Sequence, residues 1–255
     1  MSAIGGGNDR DRYSPIIADV RAFCAASANA ENVKKYSRYF KEGYDAYGLG
    51  NEKMDELEDA LVAKYGDNLA LPDVIALGHL LMASGKYEEA SIAIRLARRY
   101  KKAFGPADFE ALGAWLDRGI CNWGHTDVLS GDLLSHFLLR GIVGPDRLRP
   151  WTASSSRWKR RAVPVTLIPY AKKAADIGPL LEIVRPLMGD RERVVHQGTG
   201  WFLREAWKKF PGPVETFLVE YKDTSPRLIY QYATEKMGPE QKALFKAAKK
   251  KTQKK

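Results

Sequence analysis

The sequence predicts an all-α fold, a curved solenoid or superhelix of about six helical pairs. Three observations predict it. Apolar residues recur at three- and four-residue steps through most of the 255 residues, and no segment alternates with period two. Two segments also match each other at an offset of roughly 36 positions.

Taken in order, the periodic stretches cover residues 14–28, 31–46, 52–65, 70–83, 86–101, 106–119, 125–140, 156–174, 177–188, 191–210, 211–221 and 225–236. Each is bounded by short Gly, Pro, Asn or Asp punctuation. In "GKYEEASIAIRLARRYKKAFGP", Gly85 opens the element, Ala90, Ile94, Ala97 and Tyr100 mark its buried stripe, and Gly105-Pro106 stops it. The 125–140 stretch carries Val128, Leu129, Leu133, Leu134, Phe137 and Leu138 on one stripe. The 156–174 stretch contains Pro164 and Pro169, which should kink or split it. The matching segments are "SRWKRRAVPVTLIPYAKK" from 156 and "ERVVHQGTGWFLREAWKK" from 192. Trp158 and Val194 serve as buried anchors, Arg161 aligns with Gln197, and each segment ends in paired lysines. Such a period belongs to HEAT-like helical pairs, whose inner helices line a concave surface suited to a long, regular ligand.

Composition excludes several classes. No apolar run approaches the eighteen or so residues needed to span a bilayer. "MSAIGGGNDR" lacks the basic start and apolar stretch of a signal peptide, so residues 1–12 read as a flexible lead, 13–240 as a single domain and 241–255 as a basic tail. Cys24 and Cys121 make no disulfide framework, and no Cys/His spacing suggests zinc or any other metal. The expected compartment is the cytoplasm. Lys and Arg number 41 against 31 Asp and Glu, a formal +10, which favours a polyanionic partner. Part of the excess lies in the tail "KAAKKKTQKK". A second concentration, "RWKRR" at 157–161, reads either as a contact for such a partner or as a solvated helix face with Trp158 turned inward.

"NWGHTDVLSGDLLSHFLLR" poses the sharpest question, because its helix opens with Trp123 and places Asp127 one turn later on the same face. Without context that pair is an ordinary core aromatic beside an acidic first turn. Trp115, Trp151 and Trp207 read as core or edge-packing residues, and Arg204 and Glu205 as an inter-helix pair. His79, His125, His136 and His196 are scattered with no H-x-x-x-H pair, and His125 reads as surface or capping.

Four ordered matches, "SRYFKEGYDAYGLG", "NWGHTD", "WKRRA" and "GWFLREAWKKFPGPVETFL", change the context. Over roughly residues 30–240 the chain resembles the DNA alkylation repair family of HEAT-like alkylpurine DNA glycosylases, the AlkD-like enzymes. The resemblance puts the tryptophan and catalytic aspartate of the family's W-x-x-x-D element on Trp123 and Asp127. It puts the arginine closing W-x-x-R on Arg161, the tryptophan of G-W-x-L-R-E on Trp201, and an N-terminal tyrosine on Tyr39, with Tyr36 as the alternative. The chain departs from the family pattern at Pro164, close after Arg161, and in the glycine-rich "HQGTGW".

What the resemblance implies is hydrolysis of the N-glycosidic bond of positively charged N7- and N3-alkylpurines in double-stranded DNA by a monomer without cofactor. Asp127 would stabilise the oxocarbenium-like sugar and orient water, and Trp123 and Trp201 would favour the cationic nucleoside. Arg161, with Lys159 and Arg160 nearby, would hold backbone phosphate. The base need not be flipped into a deep pocket. Two other readings stand beside this one: a non-catalytic paralogue that binds duplex or branched DNA, and a peptide-binding scaffold.

Overall fold

The computed structural model describes residues 8–246, which form helices, turns and loops without a strand. They gather into two compact units that divide between Leu134 and Ser135. The expected lead lies outside the described residues through residue 7, and helix α1 (Asn8–Ala26) already covers the rest of it. The expected tail lies outside them from residue 247 onward.

The first unit carries α1, α2 (Ala30–Ser37), α3 (Asn51–Tyr65), α4 (Leu71–Met82), α5 (Tyr87–Arg98), α6 (Pro106–Gly113) and α7 (Trp123–Val128). Ala90, Ile94 and Ala97 are buried on α5 as their spacing predicts. α4 packs on α5 and also accepts Trp115: a Cβ at Gly78 would stand 2.3 Å from the Trp115 ring, so only glycine lets the indole come close enough for its Nε1 to donate to the Ile75 carbonyl at 3.3 Å. α2 stops at Ser37 although the periodicity predicts a helix over 31–46. The competing partners lie elsewhere in the unit. The buried Glu88 carboxylate accepts from the backbone N–H groups of Tyr47 (2.9 Å), Gly48 (2.7 Å) and Leu49 (3.0 Å). Asn32 Nδ2 donates to the Gly48 carbonyl at 2.9 Å. Gly48 meets these partners at φ 88°, with a would-be Cβ 2.2 Å from the Asn29 carbonyl oxygen. A chain satisfied in this way has no need of a helical ladder.

The predicted 125–140 helix is realised as α7, a π turn over Leu129–Leu134, and α8 (Ser135–Leu139). Leu129, Leu133, Leu134, Phe137 and Leu138 are buried as expected, whereas Val128 is 43% exposed.

The second unit continues with α9 (Arg157–Ala171), α10 (Gly178–Val184), α11 (Arg193–Trp207), α12 (Pro211–Tyr221), α13 (Arg227–Ala233) and α14 (Pro239–Leu244). α9 and α11 are both 15 residues long and sit in register with the internal match read from the sequence, with Trp158 and Val194 buried. α11 packs between α9 and α13. Its glycines explain why. A Cβ at Gly198 would lie 3.2 Å from Arg161 Cγ on α9, and one at Gly200 would lie 2.6 Å from the Ile229 carbonyl oxygen on α13. The glycine-rich departure in "HQGTGW" is therefore a helix closely flanked on two sides. α9 runs unbroken through Pro164 and Pro169, contrary to the expected split. Pro164 is buried toward α11, with its Cγ 3.5 Å from the Gly198 Cβ position, and that packing offsets the hydrogen bond the ring removes.

Candidate functional site

In the first unit the site starts from a helix cap. Asn122 is the N-cap of α7, and its Oδ1 accepts the His125 backbone N–H at 2.9 Å. Its Nδ2 faces His125 Nδ1 at 2.8 Å, so Nδ1 is the acceptor and Nε2 carries the proton. Nε2 then donates to Ser91 Oγ at 2.9 Å, and Ser91 Oγ donates to the Tyr87 carbonyl at 2.9 Å. The ring stacks on Tyr87 with centroids 4.2 Å apart. Burial pushes the imidazole down to about 3, so it stays neutral. His125 is thus a buried part of the network that fixes the first turn of α7, which corrects the surface reading. Its proton on Nε2 also excludes a serine–histidine nucleophile here, since the base would face Ser91 with a donor.

The cap leaves Trp123 at the first helical position, 36% exposed. Its Nε1–H donates to the Tyr39 carbonyl at 3.1 Å. The indole stacks on Phe40 (5.3 Å, 15°), and Phe40 stacks on Tyr44 (4.7 Å, 11°). Asp127 follows one turn later, half-buried on the same helix. Two sequence-predicted residues, Tyr39 and Trp123, therefore meet. The contact uses the Tyr39 backbone, while its side chain is 54% exposed and its hydroxyl accepts from Arg38 Nη2 at 3.0 Å.

In the second unit Ser156 caps α9 by accepting the Lys159 N–H. Arg161 is only 5% exposed, and its Nη1 donates to the Val194 carbonyl at 2.7 Å. Its stem lies against Gly198, and Trp201, half-buried, follows Gly198 by three residues on α11. Lys159 holds its ammonium 4.9 Å over the Trp151 ring.

Arg160 does not fit the expected phosphate role. It is buried, its Nε and Nη2 grip Asp190 at 2.6 and 3.3 Å, and its Nη1 donates to the carbonyls of Ser154 and Ser155. These bonds tie the turns that lead into α9 and α11, and a guanidinium so engaged is structural. Trp158 is turned inward, and Trp115 and Trp151 are buried. Trp207 is edge-packed, with Nε1 donating to Glu215 at 2.8 Å; Arg204 and Glu205 pair at 3.2 Å within α11 rather than between helices, and Arg204 also pairs with Glu235.

Sequence reasoning missed Phe40, Tyr44, Tyr87, Ser91, Asn122 and Glu88. The aromatic density of "SRYFKEGYDAYGLG" is a signal for the stack, while nothing local marks Glu88. Among the described residues no group of three or more His, Cys, Asp or Glu is placed to hold a metal ion, and no helix is long and apolar enough to cross a membrane.

Residues 20–237 match the family model described as DNA alkylation repair enzyme. A solved structure of a "predicted DNA alkylation repair enzyme from Enterococcus faecalis" superposes with a TM-score of 0.71 at 16% identity, covering 84% of this chain and 98% of that one. That likeness is one of fold. No curated protein matches the chain.

Proposed function

The chain belongs to the DNA alkylation repair enzyme family, with a role in repair of alkylated DNA, and from that premise we propose that it is a DNA glycosylase. It hydrolyses the N-glycosidic bond of positively charged N7- and N3-alkylated purines in duplex DNA and leaves an abasic site. It works as a monomer, in the cytoplasm or on the nucleoid of a bacterial cell, on a base that stays out of any deep pocket. The observation that carries this reading is the placement of a partly exposed Trp123 and a half-buried Asp127 one turn apart on a helix whose start is fixed by buried hydrogen bonds.

An alkylated purine is cationic, so when its bond to the sugar breaks the electron pair moves onto the ring and neutralises it. Little acid help is needed. The sugar carbon becomes oxocarbenium-like, and the Asp127 carboxylate stabilises that charge and orients the water that attacks it. The water's oxygen bonds to the sugar, its proton leaves to Asp127 or solvent, and the products are the free base and an abasic sugar. Trp123 presents a π face to the cationic base, worth about 0.5–2 kcal/mol depending on desolvation, and Trp201 supplies a second indole. Arg161 and Lys159 hold backbone phosphate, Arg161 through a guanidinium with several donors. Tyr39 lies beside the nucleotide on its exposed ring.

Base release from a duplex carrying one N7-methylguanine tests the reading. Wild type should release the base, and Asp127→Asn should lose activity by at least about 100-fold while binding DNA nearly as well. Release at equal rates would remove Asp127 from catalysis. No release from wild type, with salt-sensitive binding retained, would replace the glycosylase by a non-catalytic DNA-binding paralogue.

A further inference from the structure

Two cations of the "RWKRR" run are engaged with acids: Arg157 lies 3.8 Å from Glu192, and Arg160 grips Asp190. A different set stands beside the candidate catalytic helix. Lys34, Lys35, Arg38 and Lys41 are all exposed, on α2 and the loop that follows it, and α2 buries no residue at all. Among the described residues none of the four makes an ion pair with an acid. Two aromatics interleave with them: Lys35 lies 5.4 Å over the Tyr36 ring and Arg38 4.9 Å over the Tyr39 ring.

This segment is anchored. Its far end is held by Glu88 through the N–H groups of residues 47–49, and the Tyr39 carbonyl and Phe40 ring are held by Trp123. A charge run on a helix is most often a solvated face. This one differs in being tied by direct contacts to Trp123, without a compensating acid inside residues 34–41. Positive charge without internal pairing, next to flat rings, complements a sugar-phosphate backbone.

We infer that Lys34, Lys35, Arg38 and Lys41 contact the phosphates of duplex DNA flanking the base that Trp123 meets. The inference rests on the DNA-repair reading above and assigns its backbone grip in the first unit to residues other than the "RWKRR" run.

The test is the salt dependence of binding to an undamaged duplex oligonucleotide, for wild type, Lys34→Gln/Lys35→Gln, Arg38→Gln/Lys41→Gln, and the control Lys53→Gln/Lys64→Gln. The control removes the same charge from exposed lysines of α3. Each lost phosphate contact lowers the log–log slope by about 0.9, so each patch variant should lose between roughly 0.9 and 1.8. The control should lose much less, and all variants should melt near wild type. Slopes that stay at the wild-type value in both patch variants, or fall as far in the control, would overturn the patch and leave the glycosylase reading standing. Wild-type binding that ignores salt would overturn both.

Discussion

The Trp123 indole N–H donates to the Tyr39 backbone carbonyl at 3.1 Å, across 84 positions of sequence. That bond joins the irregular segment after α2 to the first turn of α7. It fixes the edge of the indole, while the stack on Phe40 fixes its plane. The orientation of the Trp123 ring is therefore set by Tyr39 and Phe40, two neighbours from a distant stretch of sequence.

Phe40→Ala should accordingly act at a distance. It removes the ring between Trp123 and Tyr44, and with it three aromatic contacts, to Trp123, Tyr44 and Tyr87, worth about 1 kcal/mol each, plus the cost of the space left behind. Urea denaturation should show a loss of roughly 3 kcal/mol or more. Base release under single-turnover conditions should fall about tenfold or more, since a misplaced binding group costs rate as well as affinity. Phe40→Leu, which keeps most of the volume, should recover stability more than activity. Equal recovery of both would mean that the ring matters only as filler.

Glu88→Gln tests the anchor of the same segment. A carboxylate accepts all three N–H groups of residues 47–49, and an amide of the same size turns one acceptor into a donor facing donors. The expected cost is on the order of 3 kcal/mol. Hydrogen exchange should speed up most at the amides of Tyr47, Gly48 and Leu49, ahead of the core amides of α4. Uniform acceleration across the unit would instead make Glu88 a general core residue.

The fold was legible where spacing decides it. Ala90, Ile94 and Ala97 face the core as their intervals predict, and the paired segments are two equal helices, α9 and α11. The resemblance assigns Tyr39 and Trp123 to one site by their side chains, whereas the contact the structure shows runs through the Tyr39 backbone carbonyl. What stayed hidden depends on partners far along the chain. Nothing near Glu88 tells that three amides some forty positions earlier will surround it, and the 31–46 periodicity hides the early end of α2 for the same reason. Nor does a charge run say which of its members turn inward. Arg160 does so because Asp190 and two carbonyls wait for it.

His125 makes stability depend on pH with a definite sign. Burial holds its folded-state value near 3, whereas an unfolded histidine titrates near 6.5. Between those values the unfolded chain binds the extra proton, so the contribution is intact above about 6.5 and is lost as pH falls toward 3, roughly tenfold in the folding equilibrium per pH unit. His79 is shifted down as well, again by burial, so the test is a difference. His125→Gln should flatten the pH dependence of stability between pH 6 and 4 by close to one proton. Parallel curves for the two proteins would place the acid sensitivity elsewhere.

The last prediction separates two glycines of one helix. At Gly200 a Cβ would stand 2.6 Å from both the Ile229 carbonyl oxygen and Tyr232 Cβ, so α11 and α13 must move apart before alanine fits. Backbone yields poorly, and Gly200→Ala should cost about 2 kcal/mol or more despite alanine's better helix propensity. At Gly198 the nearest atom is Arg161 Cγ at 3.2 Å, a side-chain atom that shifts a few tenths of an ångström at small cost. Gly198→Ala should therefore leave the urea midpoint nearly unchanged. Because the atom that gives way belongs to Arg161, it should weaken DNA binding or base release out of proportion to its effect on stability. Gly212→Ala, where nothing lies within 4 Å, is the reference for the bare exchange. If Gly198→Ala lost stability and left function intact, Arg161 would be a packing residue, and the phosphate role given to it would fall.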